Sequence, residues 1–273
     1  MTVLKIANQE FMLHSRNRWV VTFAVLFAGL GLAVAYFGMI TSGYSGFQDF
    51  VRTSASLVNL GGFLLPLFAL LLGVFSFLTN REYLELLATQ PVSRREILLG
   101  RYLGLLLSVL VAAALGFGLP GAIIAVSIGT EGAGTYIVVV LFLCLLAAVF
   151  TGLSVLIALL TGRRPVALGI AIGVWIFFEL VYGLLMLATT LYLPAKTVKT
   201  VLLAGLAGNP IDIVRVLCLL QVGGPPLFGP AGATLVKLTG SAATTTAIGL
   251  AVVVLWIVAP LLIAISIFKR QDL

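Results

Sequence analysis

The side chains able to do chemistry are few, and their spacing argues against catalysis. A single histidine, His14, stands near the N-terminus, and the two cysteines, Cys144 and Cys218, form no CxxC pair. Neither a disulfide framework nor a zinc site is suggested, and one imidazole alone supports no metal or triad chemistry. The sequence has no HExxH, no GxGxxG opening a helix after a strand and no Walker-type GxxxxGK(S/T), so the chain does not itself bind ATP by that route. Intramembrane proteolysis would need a Ser–His pair or two membrane aspartates, and the only histidine lies in the leader, so an enzyme reading has little support. The expectation is a protein that is not an enzyme and carries no cofactor of its own.

Two other groups of residues could act mechanically or line a path. Glu179 is the one acidic residue well inside an apolar run, and a lone intramembrane carboxylate is functional by default. It could line a polar path, take up a proton, or pair with a hydroxyl such as Tyr182, or it could simply be hydrogen-bonded within a bundle. Asn59 is a weaker candidate for a path-lining or interhelical contact. The second group is the stretch from Asn80 to Arg101. Glu82, Glu85 and Thr89 can share one face of a short helix while Leu84, Leu87 and Ala88 share another. Pro91 stops that helix, because the residue before proline resists the α conformation. Ser93, with Glu96 three residues on, is a capping box that opens the next helix. A short helix, a break and a new helix form a rigid elbow; the bland alternative is a solvated loop.

The elements that must hold these residues are membrane spans. Of the 273 residues 61% are hydrophobic and only 9% charged, with a mean hydropathy of +1.21, whereas a soluble domain carries about 25% charged residues. Such a chain needs lipid as its solvent. Six runs reach the roughly 20 apolar residues a spanning helix requires: Trp19–Ile40, Ala55–Leu78, Tyr102–Ile128, Tyr136–Leu160, Pro165–Leu193 and Ala243–Phe268. Residues 1–18 read as an amphipathic helix on the membrane surface, with Val3, Ile6, Ala7 and Phe11 at helical spacing. A cleaved signal peptide is the lesser alternative, since the leader and the first apolar run are both too long.

Orientation follows from the basic residues. With the N-terminus inside, the cytoplasmic segments hold eleven Lys and Arg and the outer segments five, a bias of the positive-inside kind. The net charge of +7 then suits an anionic membrane face rather than nucleic acid. Both termini are expected in the cytoplasm. Between spans five and six, residues 194–241 contain two apolar stretches, Thr197–Ala207 and Ile211–Leu220, broken at Gly208-Asn209-Pro210. They predict two short helices on the outer face or partly re-entrant. A seventh span over Val198–Leu220 would reverse the C-terminus, and Asp212 and Arg215 make it costly.

The stretch from Asn80 to Arg101 resembles the cytoplasmic coupling region of type-2 ABC transporter permeases, whose pattern is E-x-G-T-L-E-x-L-L-x-x-P-(V/L)-S-R-x-x-(I/L)-L-x-G-K. Leu84, Glu85, Leu87, Pro91, Val92, Ser93, Arg94, Leu98 and Gly100 match, Arg101 replaces the Lys, and Glu82-Tyr83 replaces Gly-Thr. Ile6-Ala7-x-x-Glu10, followed by Arg16 and Arg18, is similar to the same family. The resemblance implies one permease domain over 1–273 in a bacterial or archaeal cytoplasmic membrane, in a homodimeric or pseudo-dimeric channel; pairing with a second copy of itself is the expectation. It also implies separate ATPase subunits that hold ATP and magnesium. Glu82, Leu84, Glu85, Leu87, Pro91, Ser93, Arg94 and Arg95 would then be the coupling residues.

A narrower set of segments resembles the permeases of the ABC complex that helps mature nitrous oxide reductase. They are Asn17-Arg18-Trp19, Gly46-Phe47, Ala55-Ser56-Leu57, the run from Phe63 to Leu72, Gly173-Val174-Trp175 and Asn209-Pro210-x-Asp212-Ile213-x-Arg215. That likeness implies a NosF-like ATPase, a NosD-like periplasmic protein docking near Asn209, Asp212 and Arg215, and a sulfur cargo for a copper–sulfur centre. Export of another small molecule or lipid, an ATP-independent secondary transporter and a membrane scaffold stay open as alternatives.

Overall fold

The computed structural model describes residues 2–15, 18–42, 47–79, 92–128, 132–192, 194–222 and 239–270. Every regular element among them is helical: α1 (Thr2–Ser15), α2 (Arg18–Ser42), α3 (Phe47–Thr79), α4 (Arg94–Ile128), α5 (Ala133–Thr161), α6 (Arg164–Ile176), a π-turn (Phe177–Val181), α7 (Tyr182–Tyr192), α8 (Ala195–Gly208), α9 (Pro210–Val222) and α10 (Ala242–Arg270). Five of the expected spans are long and apolar enough to cross a membrane: those carried by α3, by α4, by α5, by α6 with the π-turn and α7, and by α10. The sixth is counted when α1 and α2, which meet at 70°, are taken together. The architecture is thus an all-α integral membrane protein. The tight connection after α5 turns on Gly162, whose φ of 62° closes the helix and lets its N–H reach the Ala158 carbonyl.

The helices close around α3 and α5, which carry much of the fully buried apolar surface. They touch where Gly73 faces Ser154, so closely that an added Cβ would fall inside the Ser154 side chain. The buried hydroxyls Thr151 and Ser154 donate to the carbonyls of Ala147 and Thr151, both at 2.7 Å. No donor is wasted there, as a lipid-enclosed core demands. On the other flank, Phe27 of α2 meets Phe117 of α4 edge to face at 4.7 Å between centroids.

One end of the bundle is basic, and there arginines satisfy carbonyls that a helix terminus leaves open. In the last turn of α3, Ser76 O accepts from Arg101 Nη2 at 3.1 Å and Leu78 O from Arg164 Nε at 3.0 Å. At the end of α10, Phe268 O accepts from Arg94 Nη1 at 3.2 Å. The start of α4 and the end of α10 therefore lie together, beside α1. Positive charge on C-terminal carbonyls is also what the helix dipole favours.

α1 departs from expectation in what it packs on. Lys5, Asn8 and Gln9 are exposed as the spacing predicts, but Ile6 and Ala7 face protein rather than lipid. Gly100 and Gly104 of α4 make room: a Cβ at Gly104 would come within 2.5 Å of Ala7 O, and one at Gly100 within 2.7 Å of Ile6 Cβ. This is the small-residue spacing that lets two helices approach closely in a membrane.

α8 and α9 form a hairpin, not a seventh span. Counting about 1.5 Å per residue from the basic end, Phe178 lies about 21 Å along span five, whereas Val139 and Gly249 lie about 33 and 31 Å along α5 and α10. Asn209 bonds Phe178, while Leu217 abuts Gly249 and Cys218 abuts Val139. The hairpin thus enters from the end opposite the basic one, turns at Asn209-Pro210 and climbs back out. Residues 194–222 thus form two short helices, as expected, and neither is long enough to be a seventh span.

Candidate functional site

The hairpin tip is built around Asn209, which is fully buried. Its Oδ1 accepts from the N–H of Ile211 at 3.0 Å and so caps α9. Its Nδ2 donates to Phe178 O at 2.8 Å and to Asp212 Oδ2 at 2.7 Å. Phe178 belongs to the π-turn, a wider turn that disturbs the helical carbonyl register and recurs at functional sites. Neither Pro210 nor the break would be tolerable at this depth without such a cap, because lipid offers no substitute donor.

Charge collects at the same point. Arg215, one turn along α9 from Asp212, donates through Nη2 to Glu179 Oε1 at 3.1 Å and through Nη1 to Asp212 Oδ1 at 3.4 Å. Its guanidinium lies over Gly62 of α3, where a side chain would meet Nη2. Two carboxylates share one guanidinium, so the cluster carries one net negative charge when all three are ionised. Asp212 is shared between Arg215 and the Asn209 amide. Glu179 Oε2 and Arg215 Nε are buried without a hydrogen-bond partner, so the cluster is polar, desolvated and incompletely satisfied.

Three aromatic donors pin the surroundings. Tyr182 Oη donates to Gly205 O in α8 at 2.5 Å, Trp256 Nε1 of α10 to Ala207 O at 3.0 Å, and Trp175 Nε1 to Phe63 O of α3 at 3.0 Å. Span five is thereby stitched to α3 below the tip and to the hairpin above it. On its remaining surface span five is bare: almost none of its apolar stretch is buried.

The sequence-derived candidates fall unequally on this frame. Glu179 pairs with Arg215, not with Tyr182, whose hydroxyl is engaged by Gly205. Asn59 is exposed on α3. Asn209 is turned inward and cannot itself meet a partner, while Asp212 and Arg215 are half-buried. Of the residues expected to couple to an ATPase, Glu82, Leu84, Glu85, Leu87 and Pro91 lie outside the described residues. Ser93 and Glu96 form the capping box: Ser93 N and Oγ reach Glu96 Oε2 at 3.1 and 2.7 Å, and Glu96 N reaches Ser93 Oγ at 3.3 Å. Arg94 reaches back to α10, and Arg95 is exposed.

The sequence singles out Arg215 as a docking residue and Arg101 as a motif position, but not their pairing: each is the partner of a buried carboxylate on another helix. The available signal was the pair of isolated acids, Glu10 and Glu179, each on an apolar stripe and each therefore in need of a cation.

The family model of the ABC-2 family transporter proteins matches residues 4–273. The chain is 33% identical to the probable ABC transporter permease protein NosY of Stutzerimonas stutzeri, covering 98% of both chains. It is 32% identical to the protein of the same name from Pseudomonas aeruginosa, covering 99% of both. With a family-model match over nearly its whole length and two full-length permease relatives, the chain belongs to the ABC-2 family of transporters as a membrane permease.

Proposed function

We propose that this chain is the membrane half of an ATP-driven exporter, with a separate NosF-like ATPase on its basic, cytoplasmic face. The observation that supports this reading is the pairing of the two ends: a helix start capped at Ser93 on one, a buried polar tip at Asn209 on the other. The segment around Glu82, Leu84, Glu85, Leu87 and Pro91 fits a groove on the ATPase, with Arg95 free to add a charge contact. Span five, bare along its length, suits an isologous contact with a second copy. The path for cargo then runs between the two copies, lined by Asn59, Glu179 and Tyr182 where they turn toward it, and the hairpin is its outer lid. A NosD-like periplasmic protein sits over the outer end of the lid, near the exposed Pro194 and Thr197, because Asp212 and Arg215, the docking residues expected from the sequence, lie at the inner tip beside Glu179. The cargo we assign, by likeness to the NosY permeases, is a sulfur species for the copper–sulfur centre of nitrous oxide reductase.

A proton-driven carrier is less well supported, since Glu179, the carboxylate the sequence offers for it, is held by Arg215, as Asp212 is, and Glu10 is held by Arg101. The test removes the elbow's apolar face. With Leu84→Ala and Leu87→Ala together, the ATPase still hydrolyses ATP but no longer moves the spans. If nucleotide-driven motion of the hairpin survives in that variant, the elbow is not the coupling contact.

A further inference from the structure

The reading above leaves unused a second buried charge cluster, at the basic end. Glu10 is wholly buried on α1, and Arg101 Nε of α4 donates to its Oε1 at 2.5 Å. Arg101 is itself 1% exposed. Its Nη2 holds Ser76 O in the last turn of α3, and its guanidinium lies 4.3 Å from the centre of the Phe77 ring. His14 Nε2, one turn along α1 from Glu10, stands 2.8 Å from Ser76 Oγ and 3.2 Å from Glu10 Oε2. Burial works to raise the Glu10 carboxyl, but the His14 hydrogen bond and the Arg101 charge hold it below the usual carboxylate range.

The placement matters more than the strength. Ser76 lies four residues before the coupling segment begins and Arg101 eight after Ser93, so α1 is tied to both helices that flank that segment: Glu10 bonds Arg101 of α4, and His14 bonds Ser76 of α3, whose carbonyl Arg101 also holds. A helix that merely rests on a membrane needs no such contact; its exposed Leu4, Met12 and Leu13 suffice for lipid. A buried ion pair adds little net stability over apolar packing, yet stranding one partner is costly. Its effect is to allow α1 a single seat, against Gly100 and Gly104.

We propose that Glu10 and Arg101 are positioning residues that clamp α1 to the ends of α3 and α4, so that α1 moves as one body with the coupling segment. The proposal rests on the reading that residues 80–101 receive the ATPase. α1 is then a second lever of the power stroke, lying in the plane of the inner leaflet and turning with α4.

Spin labels at Asn8 of α1 and Leu107 of α4, both exposed, test this in the ATPase complex in nanodiscs, with and without ATP and vanadate. The expected Asn8–Leu107 distribution is narrow and unchanged by nucleotide, while the Asn8–Asn8 distance between the two copies shifts. Glu10→Gln or Arg101→Met raises the detached population of α1 by roughly a hundredfold, broadening the first distribution and abolishing the second shift. Glu10→Met with Arg101→Met removes the stranded charge and restores the narrow distribution; a distribution that stays broad counts against the clamp. An Asn8–Leu107 distance that nucleotide alters in the unsubstituted complex overturns it, as does one that the single substitutions leave narrow. If no ATPase co-purifies, the proposed function falls, whereas the nucleotide-free Asn8–Leu107 distribution still decides the clamp.

Discussion

Replacing Glu179 and Arg215 by leucine, singly and together, measures what holds the hairpin tip to span five. At 3.1 Å and an effective dielectric constant near 20, the attraction is about 5 kcal/mol before desolvation. Removing one partner of a fully buried pair typically costs about 3–5 kcal/mol. Here the two halves are unequal. Glu179→Leu leaves Arg215, whose side chain is 29% exposed, with Asp212 at 3.4 Å and with water, so its cost falls to about 1–2 kcal/mol. Arg215→Leu strands two carboxylates, one of them the 9% exposed Glu179, and costs about 3–4 kcal/mol. The double variant should cost less than the sum by about 2 kcal/mol, the signature of direct coupling. Thermal unfolding in nanodiscs, followed by tryptophan fluorescence, suits this cluster because Trp175 and Trp256 flank it. At roughly 2–4 °C per kcal/mol, Arg215→Leu lowers the midpoint by about 10 °C and Glu179→Leu by about 4 °C. Equal losses, or a strictly additive double variant, would refute the claim that one guanidinium serves two acids.

Two further outcomes follow from the packing. Gly73→Ala drives a methyl group into Ser154 and should cost about 1–3 kcal/mol, with Ser154→Gly in the same chain recovering part of the loss in a melting experiment. Ser93→Ala removes the capping oxygen of α4 and about 1 kcal/mol of helix stability; hydrogen exchange should quicken at Glu96 and Ile97 while the middle of α4 is unaffected.

Local pattern carried most of the fold. Apolar run length placed the spans to within a few residues of α2, α5 and α10, because a lipid core of about 30 Å sets helix length almost by itself; α3 and α4 each begin eight residues before the apolar run that marks them. Ser93 and Glu96 declared their helix start, since a capping box is complete within four residues. The break at Asn209-Pro210 divided α8 from α9 for the same reason. What escaped was pairing between helices. Glu10 and Arg101 lie 91 positions apart and Glu179 and Arg215 lie 36 apart, and no periodicity links such positions. Charge counting also misled: Arg101, Arg94 and Arg164 obey the positive-inside bias, yet each is spent on helix-end carbonyls rather than left for lipid. The π-turn at Phe177–Val181 has no local signature and became visible only beside Asn209.

The account stands or falls on whether nucleotide at the basic end moves the hairpin at the other. Spin labels on the exposed Ala204 of α8, one on each copy of the chain purified with its ATPase, report that motion directly. ATP with vanadate should shift the Ala204–Ala204 distance in the native complex and leave it fixed when Leu84 and Leu87 are both alanine. A distance indifferent to nucleotide in a complex that hydrolyses ATP would contradict the account.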